Sequence, residues 1–145
     1  MKQIEITTSA IILNSNDEIL LCKSHKWDDK YVIPGGHVEY GEKLGDALVR
    51  EIKEETTLDV HSFKIVGIKE YFDDTSFYQG RHFLFFDYLC RTDRTDVVLN
   101  DEAQSYVWLK YEDINHDELG GDLSNLLKRV FEKSSEDLVD VFFDY

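Results

Sequence analysis

A chain of 145 residues with 42% hydrophobic and 13% aromatic side chains holds enough apolar material for one ordinary core, and is read as a single domain over 1–145. Its 30 acidic against 16 basic residues leave a net charge of −14, which repels polyanions and excludes sequence-independent binding to DNA or RNA. The two cysteines, Cys22 and Cys90, lie inside apolar runs, so buried thiols in a reducing cytoplasm are expected rather than a disulfide framework.

The first predicted element is a strand. Between Met1 and Leu13 the one continuous apolar stretch, Ala10 to Leu13, is too short for a signal segment or a membrane span, so a soluble protein without a membrane partner is expected. Alternation at Ile4 and Ile6, the polar turn Asn14-Ser15-Asn16-Asp17 and the run Ile19 to Cys22 read together as a β-hairpin. Tyr31-Val32-Ile33 reads as a third short strand, and Pro34-Gly35-Gly36 as a sharp turn after it. Lys43 to Thr56 has no breaker except Gly45, and Leu44, Leu48 and Ile52 recur every fourth residue, which predicts a helix.

Three more strands follow: β-rich residues from Leu58 to Tyr71, the aromatic and apolar run Arg81 to Cys90, expected to be covered on both faces, and Tyr106 to Leu109. Arg91 to Asp96 reads as a solvated turn. Asp122 to Lys133 sets Leu123, Leu126, Leu127, Val130 and Phe131 at helical spacing behind Asp122 as a cap. The tail Asp137 to Tyr145 is read as docking on the core through Val141, Phe142 and Phe143, with a homodimer contact as its other use. Strands that surround and separate two helices predict an α/β fold, a mixed sheet sandwiched between helices.

The chemistry concentrates between Gly36 and Leu58. Glu51, Glu54 and Glu55 stand at i, i+3 and i+4, so on a helix they share one face, where like charges repel by roughly a few tenths of a kcal/mol per pair. A hard divalent cation removes that repulsion, because Mg²⁺ or Mn²⁺ prefers carboxylate and carbonyl oxygens and keeps positions for water or phosphate. Leu48, Val49 and Ile52 fall on a neighbouring arc that anchors the helix, and Arg50 stands four residues before Glu54, where the two can pair. In so acidic a chain three clustered glutamates alone are ordinary.

The surrounding pattern is not. Gly36, Glu42, Arg50, Glu51, Ile52, Glu54, Glu55 and Leu58 match Gly-x5-Glu-x7-Arg-Glu-U-x-Glu-Glu-x-Gly-U, with U aliphatic, so the segment resembles the box of the MutT-like Nudix hydrolase family. The single-residue requirements it meets coincide by chance in on the order of one window in ten million. One position departs: Thr57 stands where the family has glycine. A left-handed C-cap disfavours a β-branched residue, so the turn after the helix is expected to differ in conformation.

The resemblance implies an α/β/α sandwich in which a loop-helix-loop carries metal ions. By that resemblance Glu51, Glu54, Glu55 and the Gly36 carbonyl are the ligands, and Arg50 and Glu42 are supporting groups. It also implies cleavage of a phosphoanhydride bond in a nucleoside diphosphate linked to another group, with Mg²⁺ as cofactor and Mn²⁺ as substitute. Glu54, Glu55 and the loop residue Glu102 are the candidates for general base, Glu102 reading equally well as an exposed loop acid. The absence of proline after Pro34 counts against the family's ADP-ribose subgroup, which leaves a nucleoside triphosphate or a nucleotide sugar as the favoured small-molecule substrate. Two rival readings are a non-catalytic Nudix-fold nucleotide sensor, opposed by the presence of all three glutamates, and a prenyl diphosphate isomerase, for which no cysteine-based acid site is recognisable.

Outside the box, Lys23, His25, Lys26, Arg81 and His82 are the basic residues able to meet phosphate. Trp27, Tyr31, Phe72, Phe77 and Tyr78 are the aromatic ones able to stack on a base. Both kinds stand more often at plain surface or core positions, so no substrate-binding residue is assigned. His37, at a variable position of the box, receives no role, and Gly120-Gly121 reads as a plain turn rather than an anion site. No zinc spacing, phosphate loop or serine-hydrolase elbow occurs.

Overall fold

Strand β1 (Ile4–Leu13) organises the structure, a computed structural model that describes residues 3–73 and 80–132, because its side chains alternate between two cores. Ala10 and Ile12 enter one core with Leu48 and Ile52, whereas Ile11 and Leu13 enter the other with Leu126 and Leu127. Along its whole length β1 runs parallel to β6 (Arg81–Arg91), from Ile4 opposite His82 to Leu13 opposite Arg91. Strand β5 (His61–Asp73) pairs antiparallel with the far side of β6.

On its other side β1 turns back into β2 (Ile19–Ser24), as expected of the hairpin; the Asn14 side chain accepts the amides of Asn16 and Glu18 and so closes the turn. Strand β2 also pairs antiparallel with β3 (Lys30–Val32) and with β7 (Ser105–Leu109). Helix α1 (Leu44–Thr56) covers one face of this mixed sheet and α2 (Leu123–Glu132) the other. The α/β/α sandwich is therefore the observed fold. Cys22 and Cys90 are buried free thiols, and no described helix is long and apolar enough to cross a membrane.

Four expectations need correction or narrowing. In place of a sharp turn at Pro34-Gly35-Gly36, the chain runs extended into a short strand, β4 (Gly35–His37), paired antiparallel with Thr7, Thr8 and Ser9 of β1. Gly35 is required there for close approach: an added Cβ would lie 2.1 Å from the Thr8 carbonyl oxygen. Cover on both faces of β6 reaches only its second half, where Asp87, Tyr88 and Cys90 are buried; His82 to Phe86 stay partly exposed. Val49 is 40% exposed, and the anchoring arc of α1 is instead Ala47, Leu48, Ile52 and Thr56.

The fourth concerns Thr57. The turn keeps the left-handed geometry that glycine would give, with Thr57 at φ 64° and ψ 6° and its amide bonded to the Lys53 carbonyl. The backbone wins because Leu58, next in line, is buried, and because Thr56 Oγ1 accepts the Leu58 amide at 3.2 Å, so the chain direction is fixed on both sides. Thr57→Gly should relieve that strain and raise stability by about 1 kcal/mol, read as a higher denaturant midpoint. A lower midpoint would show that the threonine hydroxyl, which donates to the Thr56 carbonyl at 2.6 Å, outweighs the strain.

Of the sequence readings, Phe77, Tyr78, Lys133 and the tail Asp137 to Tyr145, with Val141, Phe142 and Phe143, lie outside the described residues.

Candidate active site

The acidic face of α1 is compensated from within the same helix. Arg50 grips Glu42 with two bonds, Nε to Oε2 at 2.7 Å and Nη2 to Oε1 at 2.9 Å. Its Nη1 donates to Glu51 at 2.9 Å and to Glu54 at 3.4 Å, and its Nη2 also reaches the His37 carbonyl at 3.0 Å. One planar cation thus ties the loop before the helix, the helix and the end of β4 together, which a lysine with its single charged nitrogen would not do. Arg50, and after it the Glu39 amide, holds the Glu42 carboxyl down at about 2.

Two glycines bring the backbone of β4 against this face. At Gly36 an added Cβ would stand 2.4 Å from the Glu51 carboxyl carbon, so the missing side chain is what lets that carboxylate lie against the strand. One residue earlier the Gly35 amide donates to Glu55 Oε2 at 3.1 Å. Glu55 is half-buried at the inner end of this face. Burial pushes its carboxyl up to about 8; the Gly35 amide opposes that rise, while the charges of Glu51 and Glu102 add to it.

Beside Glu55 opens a shallow cleft walled by Val32, Ile33, Pro34, Leu99 and Ala103 and carrying Ser24, Lys26, Trp27 and Glu102. Glu102 is brought here by a loop that leans on α1: the Asn100 amide bonds the Glu55 carbonyl at 3.3 Å, and Asn100 Oδ1 accepts the Glu102 amide at 2.9 Å. From the other wall Ser24 Oγ donates to the Glu102 carbonyl at 2.9 Å, and Lys26 Nζ pairs with its carboxylate at 2.5 Å. Glu102, open in the sequence between loop acid and site residue, therefore faces the same cleft as Glu55. Cys22 lines it too, but burial, with the Glu55 charge second, pushes the thiol up to about 12, so it stays protonated.

The predicted residues do not all meet. Glu51 and Glu54 are held by Arg50, and among the described residues no three acidic, histidine or cysteine side chains already surround a common ion position. Of the basic candidates only Lys26 lines the cleft. Arg81 is engaged by Glu5 at 2.7 and 2.9 Å, His82 by Glu70 at 2.9 Å and His25 by Asp29, while Lys23 Nζ lies 5.1 Å from the centre of the Tyr31 ring. Of the described aromatic candidates only Trp27 lines it; Tyr31 packs against the α2 core, and Phe72 sits edge-on to His82. The apolar walls and the Gly35 contact escaped the sequence reading. Pro34-Gly35, directly before the box, was the one local sign of them.

The chain matches known proteins over most of its length. The pattern of the NUDIX domain matches residues 4–130. The chain is 34% identical to the nucleoside triphosphatase NudI of Escherichia coli over 122 residues, 74% of this chain and 84% of that one. It is 31% identical to Nudix hydrolase 10 of Arabidopsis thaliana over 96% of its own length, and spans about half, 53%, of that longer protein. Among solved structures it resembles a MutT NUDIX hydrolase from Burkholderia pseudomallei, with a TM-score of 0.74 and 21% identity over 89% of this chain and 99% of that one. It also resembles the NUDIX domain of Shewanella oneidensis NrtR complexed with ADP ribose, with a TM-score of 0.73 and 15% identity over 91% of this chain and 89% of that one. The structural likenesses speak for the fold; together with the match over residues 4–130 and the relatives above 30% identity, they establish that the chain belongs to the Nudix family and is a Nudix hydrolase.

Proposed function

We propose that this chain is a cytoplasmic, divalent-metal-dependent enzyme that cleaves a phosphoanhydride bond of a small nucleotide, with a nucleoside triphosphate as its favoured substrate and a nucleotide sugar as the next. The observation that carries the reading is the position of Glu55, fastened to the Gly35 amide where the acidic face of α1 opens into a cleft that also holds Glu102. The choice of a triphosphate is supported by the likeness to NudI.

The residues present fit a hard cation. Glu51, Glu54 and Glu55 offer only carboxylate oxygens, Gly36 leaves room for the Glu51 carboxylate against β4, and the Glu55 carboxyl sits in the field of the Glu51 and Glu102 charges, which Arg50 and Lys26 offset only in part. Glu51, Glu54, Glu55 and the Gly36 carbonyl would hold Mg²⁺, or Mn²⁺ in its place. When bound, the ion neutralises the diphosphate and lowers the pKa of the water that attacks phosphorus. Arg50, anchored on Glu42, keeps the glutamate-bearing turn in register with β4, so the donors are fixed before substrate arrives. The proton of the attacking water passes to Glu54, Glu55 or Glu102, and single glutamine variants at the three positions assign it.

A panel of nucleoside triphosphates, nucleotide sugars, dinucleoside polyphosphates and coenzymes, assayed with Mg²⁺, with Mn²⁺ and with chelator, tests the proposal. Turnover that needs metal and is fastest on a triphosphate is the expected result. Lack of turnover on every member with metal present would overturn it, and a better rate on nucleotide sugars would reverse the order of substrates.

A further inference from the structure

We propose that Trp27 is the platform on which the nucleobase of the substrate stacks, and that Gly120-Gly121 is the seat that holds its indole beside the cleft. The identity of the ligand rests on the hydrolase reading above; the placement of the indole rests on packing alone.

Trp27 ends the short 3-10 turn His25–Trp27 between β2 and β3 and lines the cleft next to Lys26, Glu55 and Glu102. It remains 50% exposed, so it adds little to either core. Even so, its position is fixed with unusual care. The Lys26 amide bonds Ser24 Oγ at 3.3 Å, the His25 amide bonds Gln104 Oε1 at 2.8 Å, and the Asp29 amide returns to the Ser24 carbonyl at 3.0 Å. The two residues after Trp27, Asp28 and Asp29, both adopt left-handed conformations, φ 55° and 58°, which aspartate accepts more readily than most side chains and which turn the chain tightly back to β3.

The seat explains a pair of glycines that the catalytic machinery leaves unused. The segment before α2 is drawn up to β3 by the Gly120 amide, which bonds the Tyr31 carbonyl at 2.8 Å. A Cβ at Gly120 would lie 3.1 Å from both Lys30 Cβ and Val32 Cγ1 and 3.5 Å from Trp27 Cβ, and one at Gly121, φ 54°, would lie 3.6 Å from the indole Cζ3. Backbone without side chains therefore passes directly along the indole. A Cβ at Gly121 would stand in ordinary van der Waals contact with the ring, and the positive φ also favours glycine there.

The chemistry of the walls matches a nucleotide. Carboxylates for a metal-bound phosphate, the Lys26 cation and an aromatic face stand in one cleft whose remaining sides are apolar, and a flat base gains by stacking on such a face without needing a particular hydrogen-bonding edge.

The test uses the full chain with Ca²⁺ in place of Mg²⁺, a cation that the same carboxylates can hold, with AMP and UMP as nucleotide probes that carry no phosphoanhydride bond and tripolyphosphate as the probe without a base. Trp27 and Trp108 are the only tryptophans, so quenching of their fluorescence by a nucleotide should persist in Trp108→Phe and vanish in Trp27→Phe. By calorimetry, Trp27→Ala should weaken AMP and UMP by roughly 5- to 150-fold, Trp27→Phe should restore most of that loss, and Gly121→Val should reproduce part of it. Tripolyphosphate binding should not change in any variant. Quenching that survives Trp27→Phe, or an equal loss of nucleotide and tripolyphosphate, would overturn the proposal. Failure of the hydrolase reading would instead appear as absent turnover with metal while the binding differences stand.

Discussion

Glu55→Gln is expected to lower metal-dependent turnover by at least about a hundredfold while the protein stays folded. The substitution is nearly isosteric, and the glutamine carbonyl can still accept the Gly35 amide that Glu55 accepts at 3.1 Å. What disappears is the negative charge that would ligate the metal. Because burial already pushes the Glu55 carboxyl up to about 8, a neutral side chain suits this position better than a carboxylate when no metal is bound. Stability in chelator should therefore be unchanged or slightly higher. Saturating turnover, measured beside the denaturant midpoint, separates the two effects, and a folded variant with undiminished turnover would contradict the assigned site.

The adjacent glycines of β4 should fail in opposite ways. In Gly35→Ala the new methyl would stand 2.1 Å from the Thr8 carbonyl oxygen and 2.5 Å from Ser9 Cα, atoms of a β1 backbone that is also paired along its other edge with β6. Nothing there can yield, so a destabilisation of about 3 kcal/mol or more is expected. In Gly36→Ala the obstacle, 2.4 Å away, is the carboxyl end of Glu51, a flexible side chain that can swing aside. That variant should stay folded within about 1 kcal/mol of the parent and lose at least roughly tenfold in turnover, since a displaced ligand is costly to a metal site. Denaturant midpoints and turnover for both variants check the contrast, and equal behaviour would show that the close approach at Gly36 does not position Glu51.

The Glu55 and Gly36 effects arise where α1 meets β4 and the Gly35 effect where β4 meets β1, and the sequence announced only part of this arrangement. The helix was legible because Leu44, Leu48 and Ile52 repeat at its period, and the glutamate face because i, i+3 and i+4 spacing places those side chains together in any helix. β4 was not legible. Three residues with two glycines and a preceding proline carry turn chemistry locally, and only the opposing edge of β1 makes them a strand. Thr57 shows the same priority of global over local preference. A β-branched residue argues against a left-handed cap, but α1 ends there and Leu58 must enter the core, so the side chain bears the strain.

By itself, then, the sequence determined a face of three glutamates, because that follows from residue type and from spacing within one helix, and its resemblance to the Nudix box pointed to the reaction class. Tertiary structure alone decided what surrounds them. Lys26 and Glu102 are 76 residues apart and meet only because β2 and β7 pair, which draws the loop before β7 over the cleft. Trp27 is set apart from the other described aromatic candidates, and Lys26 from the other basic ones, by the same folding, since contact across such distances leaves no period or motif in the chain. A cleft wall is a property of several segments at once, and each of them reads locally as an ordinary strand end or turn.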